Sequence, residues 1–369
     1  MRLYMLAALS ALFIAATAQA ASFTETKLTA SDAAAQNYFG SSVAISGTTA
    51  IIAAPGADNG AVYLFDTTTG KQTAKLTTSD TAKDDEFGTS VAISGTTAIV
   101  GVFVANNANG GWAYLYDTTT GKQTAKLIPG DSFKNDMFGT SVAISGTTAI
   151  VGATGTGSGA AYLFDTTTGK QTAKLTGKDS SKYDFGMSVA ISGTTAIVGA
   201  PGGADSGAAY LFNTTTGKQT AKLNPSDLAE NNFFGSSVAI SGTTAIVSAK
   251  GSDNNHGAVY LFDTATGAQT AKLTGDDSAK KSSFGASVAI SGTTAIVSTF
   301  DKSSVSGEAY LFDTTTGAQL AKLTPSIPAK KDYFGASVAI SGTTAIIGAS
   351  GTGNNSLLNS GVAYLAHRQ

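Results

Sequence analysis

Cysteine is absent from the 369-residue sequence, and proline, histidine and tryptophan are scarce, with six, two and one copies respectively. Without cysteine the chain has no disulfide bonds and no thiol nucleophile, so its stability must come from packing. Charged residues make up only 13 % of the sequence, and the 23 basic and 25 acidic residues nearly balance, for a formal net charge of −2. This composition predicts no basic surface for nucleic acid. The two histidines, His256 and His367, lie far in sequence from any plausible catalytic partner. We therefore expect a protein that is not an enzyme and carries no cofactor.

Glycine, by contrast, is abundant at 43 residues, and much of it belongs to one repeated stretch. The stretch reads Phe-Gly-x-Ser-Val-Ala-Ile-Ser-Gly-Thr-Thr-Ala-Ile and occurs seven times. Neighbouring copies lie 47 to 51 residues apart, a period typical of repeat architectures that share one continuous core. The copies begin at Phe39, Phe87, Phe138, Phe185, Phe234, Phe284 and Phe334.

Each repeat contains four short apolar stretches with the pattern of β-strands, separated by turn residues. In the first repeat they lie at residues 42–46, 49–53, 61–65 and 72–76. Ser-Gly joins the first two and Asp-Thr-Thr-Thr-Gly joins the last two, and both sequences favour tight turns. A single four-stranded sheet cannot bury both of its faces, whereas identical sheets stacked radially can. The sequence therefore predicts an all-β fold, a seven-bladed β-propeller of four-stranded antiparallel blades.

The two ends of the chain complement each other. The last repeat stops after its third strand, near residues 362–365, and residues 24–28 match the fourth-strand sequence at 72–76. We expect the N-terminal strand to complete the last blade and so to close the ring. An open solenoid, the alternative architecture, has no need of such an exchange.

The first twenty residues have the layout of a secretory signal peptide. Arg2 precedes an apolar run at residues 3–16, and residues 18–20 form a small-residue cleavage motif. The apolar run is shorter than the ~20 residues that a transmembrane helix needs. We expect a signal peptide at 1–20, no membrane span, and one propeller domain at 21–369. The mature protein is expected to be a monomer, secreted or periplasmic.

The repeat resembles the FG-GAP family, which forms the blades of integrin α-subunit propellers and of many secreted bacterial proteins. Two sets of motifs carry the likeness most fully: Phe39-Gly40 with Ala54-Pro55-Gly56, and Phe185-Gly186 with Gly199-Ala200-Pro201. The resemblance implies the propeller fold and leaves the ligand open. Integrin-type blades can carry a calcium loop of alternating aspartates between their first two strands. Here that position holds only a Ser-Gly-Thr turn, so we expect no metal site.

Variation among the repeats is concentrated in two loops, the one between the second and third strands and the one that leads to the next repeat. In a meander these loops open on the same face of the ring. Selection for a ligand and drift in tolerant loops both account for such variation. The polar candidates for binding a protein or glycan there are Asp58, Asn59, Asn106, Asn107, Asp205, Asp253, Asn254, His256, Asp301, Lys302, Asn354 and Asn355.

Three further features of the repeats call for an interpretation. Trp112, the last candidate for ligand binding, stands where other repeats have alanine. It could offer an aromatic platform to a sugar, or fill space beneath the long loop of the second blade. An aspartate recurs about seven residues before most Phe-Gly pairs, and we expect it to form turns. A lysine recurs in every fourth strand, where it would protect an exposed sheet edge from aggregation.

Together these features predict an exported binding or adhesion module that recognises a protein or a glycan through the variable loops of one face. A structural protein of the envelope or matrix, without a discrete ligand, is the first alternative. A glycan-active enzyme is the second, because carboxylates from different loops could meet over the ring axis.

Overall fold

The structure is a computed structural model, and it describes residues 22–57, 59–78, 80, 85–102, 110–131, 136–155, 157–178, 184–202, 206–227, 231–251, 256–275, 283–299, 307–328, 331–351 and 359–369. All regular secondary structure in these ranges is β-strand, arranged as seven four-stranded antiparallel sheets. Each sheet is one blade of a β-propeller, as the repeat pattern predicts. The expected signal peptide lies outside the described residues. No helix within the described ranges is long and apolar enough to span a bilayer.

The strands occupy four positions in each blade, counted from the ring axis outward. The innermost strands are β2 (Val43–Ser46), β6 (Phe87–Ser94), β10 (Phe138–Ser145), β14 (Ser188–Ser192), β18 (Phe234–Ser241), β22 (Val288–Ser291) and β26 (Phe334–Ser341). The second strands are β3 (Thr49–Ala54), β7 (Thr97–Val102), β11 (Thr148–Ala153), β15 (Thr195–Ala200), β19 (Thr244–Ala249), β23 (Thr294–Thr299) and β27 (Thr344–Ala349). The third strands are β4 (Ala61–Asp66), β8 (Trp112–Asp117), β12 (Ala160–Asp165), β16 (Ala208–Asn213), β20 (Ala258–Asp263), β24 (Glu308–Asp313) and β28 (Val362–Arg368). The outermost strands are β5 (Lys71–Leu76), β9 (Lys122–Leu127), β13 (Gln171–Leu175), β17 (Lys218–Leu223), β21 (Gln269–Leu273), β25 (Gln319–Leu323) and β1 (Phe23–Leu28).

Blade one shows how closely local sequence defines the strands. Its order is β2-β3-β4-β5, and the four predicted strands are confirmed to within one residue at each end. Gly47 and Gly70, in the two tight turns, both have positive φ, a conformation that glycine adopts without steric cost. Asp66 Oδ1 accepts a hydrogen bond from the backbone N–H of Thr69 at 2.7 Å, which is the turn role that the sequence predicts.

Blade seven is completed by the N-terminal strand. Its order is β1-β28-β27-β26, and β1 pairs with β28 from Phe23 opposite Arg368 to Leu28 opposite Ala363. Strand pairing between the two ends of the chain therefore closes the ring, as predicted.

A circle of seven hydrogen bonds joins the blades around the axis. The serine that ends each innermost strand accepts a bond, through its hydroxyl oxygen, from the backbone N–H of the turn glycine in the next blade. The distances are 3.0 to 3.3 Å. The pairs are Ser46–Gly95, Ser94–Gly146, Ser145–Gly193, Ser192–Gly242, Ser241–Gly292, Ser291–Gly342 and Ser341–Gly47.

The phenylalanine of each Phe-Gly pair lies at the centre of a core between two blades. Phe39 is fully buried, and its ring centroid lies 5.6 Å from that of Tyr63 and 5.8 Å from that of Phe65 in edge-to-face contacts. Leu365 of the preceding blade packs in the same cluster. The adjoining Gly40 has φ +91°, and a side chain there would press on the backbone of the preceding blade. The motif therefore packs one blade against the next.

A second set of seven serines bonds to the next blade in one of two ways. Where the facing second-strand residue is glycine (Gly101, Gly152, Gly199, Gly348), the hydroxyl of Ser90, Ser141, Ser188 or Ser337 donates to a carbonyl oxygen of the next blade at 2.7 to 2.9 Å. Where that residue is Ala53, Ser248 or Ser298, the serine (Ser42, Ser237, Ser287) instead accepts an N–H at 3.1 to 3.2 Å. A Cβ on the glycines would overlap both the serine hydroxyl and the carbonyl oxygen, which accounts for the two modes.

Candidate functional site

The two variable loops of the blades meet at one end of the propeller, which we call the variable face. There the chain after each second-to-third-strand loop lies against the chain that leads into the next innermost strand. The backbone N–H of Phe39 donates to the carbonyl of Ser360 at 3.1 Å, and that of Phe138 donates to Gly110 at 2.7 Å. The tight turns occupy the opposite face, so variation among the repeats is concentrated on one side of the ring.

Three of the thirteen candidate ligand-binding residues lie in the described part of the chain. Asn59 is exposed, His256 is partly buried and accepts the backbone N–H of Phe284 through its carbonyl at 3.0 Å, and Trp112 begins β8. The other ten lie outside the described residues: Asp58, Asn106, Asn107, Asp205, Asp253, Asn254, Asp301, Lys302, Asn354 and Asn355. Ligand binding by these loops stays a prediction.

Trp112 packs into its blade. It is partly buried against the hydrophobic cluster between blades one and two, and the Nζ atom of Lys126 lies 4.1 Å from its ring centroid. This distance is well within the range of a cation–π interaction. Because Lys126 covers the indole ring, the geometry supports the space-filling role over the role of a platform for a sugar.

Other blades treat the position of Trp112 differently. In blade six Glu308 stands there, and its carboxylate pairs with the strand-four Lys322 at 2.7 Å. In blade three Ala160 leaves an open cavity of about 260 Å³, lined in part by Tyr162 and Lys174. Trp112 and Glu308 therefore contact the strand-four lysine of their blades, whereas Ala160 in blade three leaves the space open.

The recurrent aspartates bind the recurrent lysines, a contact that the sequence analysis did not predict. Each ion pair ties the loop that arrives from the preceding blade to the outermost strand of the blade that it enters. The pairs are Asp32–Lys75, Asp80–Lys126, Asp131–Lys174 and Asp227–Lys272, at 2.5 to 3.0 Å. The same lysines lie 5.3 to 5.6 Å from the ring centroids of strand-three tyrosines. These lysines therefore belong to a contact within the fold and are not simply charges that guard an edge.

Pairing shifts the pKa values of Asp131, Lys174 and Asp227. The hydrogen bond from Lys174 lowers the pKa of Asp131 despite some opposing desolvation, and the same bond raises the pKa of Lys174. Lys272 lowers the pKa of Asp227 in the same way. Burial raises the pKa of Tyr162, which packs beside the first pair. These carboxylates therefore stay ionised to a lower pH than an unpaired aspartate does.

A cleft of about 190 Å³ opens on the variable face between blades four and five. Met187 and Phe233 expose 45 % and 39 % of their surface in it, and they are two of the four large apolar residues exposed in the described part of the chain. Two exposed apolar side chains that meet in one cleft make it a candidate contact site, whereas exposed apolar residues that are scattered singly need no explanation. The lining residues are Asp184, Met187, Pro201, Gly202, Phe233, Ser236 and Lys250.

The cleft carries one charge of each sign beside its apolar surface. The Nζ atom of Lys250 lies 5.8 Å from the ring centroid of Phe233, and Asp184 supplies an exposed carboxylate. Phe233 and Asp184 both have positive φ, 54° and 50°. The same conformation occurs before Phe-Gly in four other blades, at Tyr38, Glu86, Met137 and Tyr333, so this strain belongs to the repeat and does not single out the cleft.

The sequence analysis missed the cleft because it searched the loops for polar residues. A position-by-position comparison of the copies would have found Met187, since the other repeats have serine, threonine or alanine there. Its convergence with Phe233 and Lys250 of the next blade requires the structure. In the described ranges no three histidine, aspartate or glutamate side chains are grouped so as to hold a metal ion.

Comparison with known protein families places the chain by its repeats. The FG-GAP repeat family matches residues 23–65, 71–116, 122–164, 170–212, 218–262, 268–312 and 318–366. Each matched unit runs from the outermost strand of one blade to the third strand of the next, so that β1 belongs to the first repeat and to the seventh blade. A search of curated proteins found no match. With seven repeats spanning nearly all of the described chain and one propeller built from them, the protein belongs to the FG-GAP repeat family.

Proposed function

We propose that this protein is a binding or adhesion module that recognises a protein ligand through its variable face, with the cleft between blades four and five at the centre of the contact. The FG-GAP propeller fold is consistent with a module of this type. One observation carries the proposal, the joint exposure of Met187 and Phe233 beside Lys250. Methionine and aromatic residues are enriched at the cores of protein–protein interfaces.

A protein ligand suits this cleft better than a glycan does. Two of its exposed large side chains, Met187 and Phe233, are apolar, and an apolar side chain of a ligand placed against them would remove all three from water. Burial of this kind contributes about 25 cal/mol per Å² of apolar surface. A sugar, with hydroxyl groups around its ring, would find few hydrogen-bonding groups beside those of Asp184, Ser236 and Lys250.

Two further parts of the proposal concern export and catalysis. We place a signal peptide at residues 1–20, and N-terminal sequencing of the protein recovered from medium or periplasm tests it by asking whether the mature chain begins near Ala21. FG-GAP propellers are typically non-enzymatic, and we propose the same here. Turnover of any polysaccharide by the mature protein would contradict that part of the proposal.

A phage-displayed peptide library, selected against the immobilised mature protein, tests the binding site. Selected peptides are then measured by biolayer interferometry against Met187→Ser and Phe233→Asn. Asparagine is chosen because it tolerates the positive φ at this position. Ile327→Ser is the matched control, since Ile327 is 65 % exposed and lies outside the cleft.

We expect each cleft variant to weaken the selected peptides at least tenfold and the control to leave them unchanged. Peptides that bind all three variants equally would place the contact elsewhere. Failure to select any peptide, together with saturable binding on a glycan array, would favour a glycan ligand. No binding in either assay would favour a structural protein without a discrete ligand.

A further inference from the structure

One contact between blades lacks an aromatic ring that the other six contain. In blades one to six the fifth residue of the third strand supplies this ring, whereas blade seven has Ala366 at that position. In the other blades its centroid lies 5.8 to 6.0 Å from that of the Phe-Gly phenylalanine. In blade seven Phe334 keeps its contact with Tyr364, at 5.5 Å, and only a methyl group stands at the second position. The residues at that position in blades one to six are Phe65, Tyr116, Phe164, Phe212, Phe262 and Phe312.

The missing ring coincides with a cavity of about 290 Å³ between blades six and seven. The contact is also more open than its counterparts, because Leu323 is 8 % exposed whereas the equivalent leucine is at most 1 % exposed in every other blade. The walls of the cavity are mainly apolar, formed by Phe23, Leu323, Phe334, Ile347, Tyr364 and Ala366.

Neighbouring substitutions compensate for the missing ring only in part. Leu320 of β25 stands where five other outermost strands have threonine, and it packs against the apolar cluster of this contact. Phe23 of β1 packs there as well, at the end of the closing strand. The cavity remains after both side chains have been placed, and it opens at the outer side of the ring, beside the closing strand.

We propose that this cavity binds a small, free ligand that carries a single aromatic ring. The six equivalent contacts show that an aromatic ring fits between two blades at this position, edge-to-face against the buried phenylalanine. Apolar cavities that are left by a missing side chain take up such rings, and an engineered cavity of ~150 Å³ in another protein binds benzene. The site is separate from the cleft on the variable face, and it extends the proposed function.

The rim of the cavity selects among aromatic ligands through Glu25. In the six other blades the outermost strand has a bulge, and in blade one this bulge places Gln72 opposite Phe65. Strand β1 has no bulge, so that in blade seven Glu25 lies opposite Ala366, the residue equivalent to Phe65. The Glu25 carboxylate accepts bonds from Ser326, at 3.1 Å from the backbone nitrogen and 2.5 Å from the hydroxyl.

A carboxylate has about four acceptor positions, so Glu25 can accept a further hydrogen bond from a ligand. Lys322, the cation at the rim, is already paired with Glu308. The rim therefore favours a ring with a hydrogen-bond donor, such as a phenol or an arylalkylamine, over a ring with a carboxylate.

Saturation-transfer NMR and calorimetry on the mature protein test the site with three probes: phenol, 2-phenylethylamine and benzoate. We expect saturable binding of the first two and binding of benzoate that is at least tenfold weaker. Ala366→Phe restores the ring of the other six blades and should reduce binding at least tenfold. Leu320→Thr/Ala366→Phe gives the new ring the neighbour that it has in other blades, and it serves if the single variant does not fold.

Two further variants show whether phenol occupies this cavity or a different part of the protein. Phe164→Ala opens an equivalent gap in blade three and should add a second binding site, whereas Phe233→Asn, in the cleft, should leave phenol binding unchanged. Glu25→Gln should reduce the preference for phenylethylamine over benzoate. The proposal is overturned if phenol does not bind saturably to the wild-type protein, or if folded Ala366→Phe binds it with unchanged affinity. Neither result bears on peptide binding at the variable face.

Discussion

The hydroxyl oxygen of Ser341 lies 3.3 Å from the backbone nitrogen of Gly47, although 294 residues separate them in sequence. This hydrogen bond joins blade seven to blade one and repeats the contact that each serine of the circle makes with the next blade. The covalent chain also connects these two blades, from the outermost strand β1 of blade seven to the innermost strand β2 of blade one, and the break in the chain lies within blade seven, where β1 pairs with β28. This closing seam between blades seven and one is therefore built like the six others.

Equivalence of the seams predicts equal effects when equivalent serines are removed. Ser341→Ala at the closing seam and Ser145→Ala between blades three and four should each lower the free energy of unfolding by about 1 kcal/mol, the usual contribution of a hydrogen bond. Urea denaturation measures the free energies, and amide hydrogen exchange at Gly47 and Gly193 reports on each bond directly. Faster exchange at Gly47 than at Gly193 in the wild-type protein would show that the closing seam opens on its own.

The two bonding modes of the second serine set predict a cost for a single methyl group. In Gly152→Ala the new Cβ would overlap the Ser141 hydroxyl and the carbonyl oxygen of Gly186, so blade four must shift and Ser141 must give up its bond. We expect a loss of about 1–3 kcal/mol in the free energy of unfolding. Ala53→Ser is the control, because blade five carries serine there, and it should cost less than about 1 kcal/mol. Equal effects of the two changes would refute a steric origin of the two modes.

The pair of Asp131 and Lys174 predicts a small loss of stability in acid. The folded-state pKa of Asp131 lies below its unfolded value of about 4, so its contribution is complete above that pH and is lost as the pH falls through the lowered folded-state pKa. Both side chains are about 40 % exposed, at 41 % and 39 %, so solvent screening limits the contribution to less than about 1 kcal/mol.

Urea denaturation of Asp131→Asn should show this difference from the wild-type protein at pH 7 and a smaller one at pH 3. Lys174→Met provides the control for the pair. In that background Asp131→Asn should have little effect at either pH, since the partner of the carboxylate is absent. A pH-dependent effect of the same size in both backgrounds would assign the shift to another neighbour.

The packing of Trp112 predicts that its removal affects stability more than binding. Trp112→Ala should lower the free energy of unfolding by about 2 kcal/mol, less than the 3–5 kcal/mol of a fully buried tryptophan, because the ring is only partly buried. Peptide binding at the cleft should be unchanged. Loss of glycan binding at unchanged stability would instead identify Trp112 as a platform for a sugar.

Much of the fold could be predicted because it depends on contacts that every repeat makes in the same way. Phe39, Val43 and Ile45 share one face of the first strand by period two, and all three pack in one core cluster, whereas Ala44 packs in the next cluster. The strands, the turns and the closing role of β1 follow from the same local periodicity.

The candidate site could be predicted only as a face of the ring. Variation in loop length indicates that face, but it does not show which side chains meet there. Met187 and Phe233 belong to different repeats, and neither is polar enough to be selected by a search for binding loops. The predicted role of the recurrent aspartates was likewise incomplete. Their lysine partners lie more than forty residues away in sequence, as with Asp131 and Lys174, so local sequence does not reveal the ion pairs.

The sequence alone determined the number of blades, the position of each strand and the strand that closes the ring, because periodicity and turn chemistry act over a few residues and recur seven times. Only the tertiary structure decided which exceptions to the repeat meet. Met187 faces Phe233 across two blades, and Glu25 stands opposite Ala366 because β1 lacks the bulge of the other outermost strands. The physical reason is that contacts between blades depend on register, and a shift of one residue exchanges the side chain that faces the neighbour.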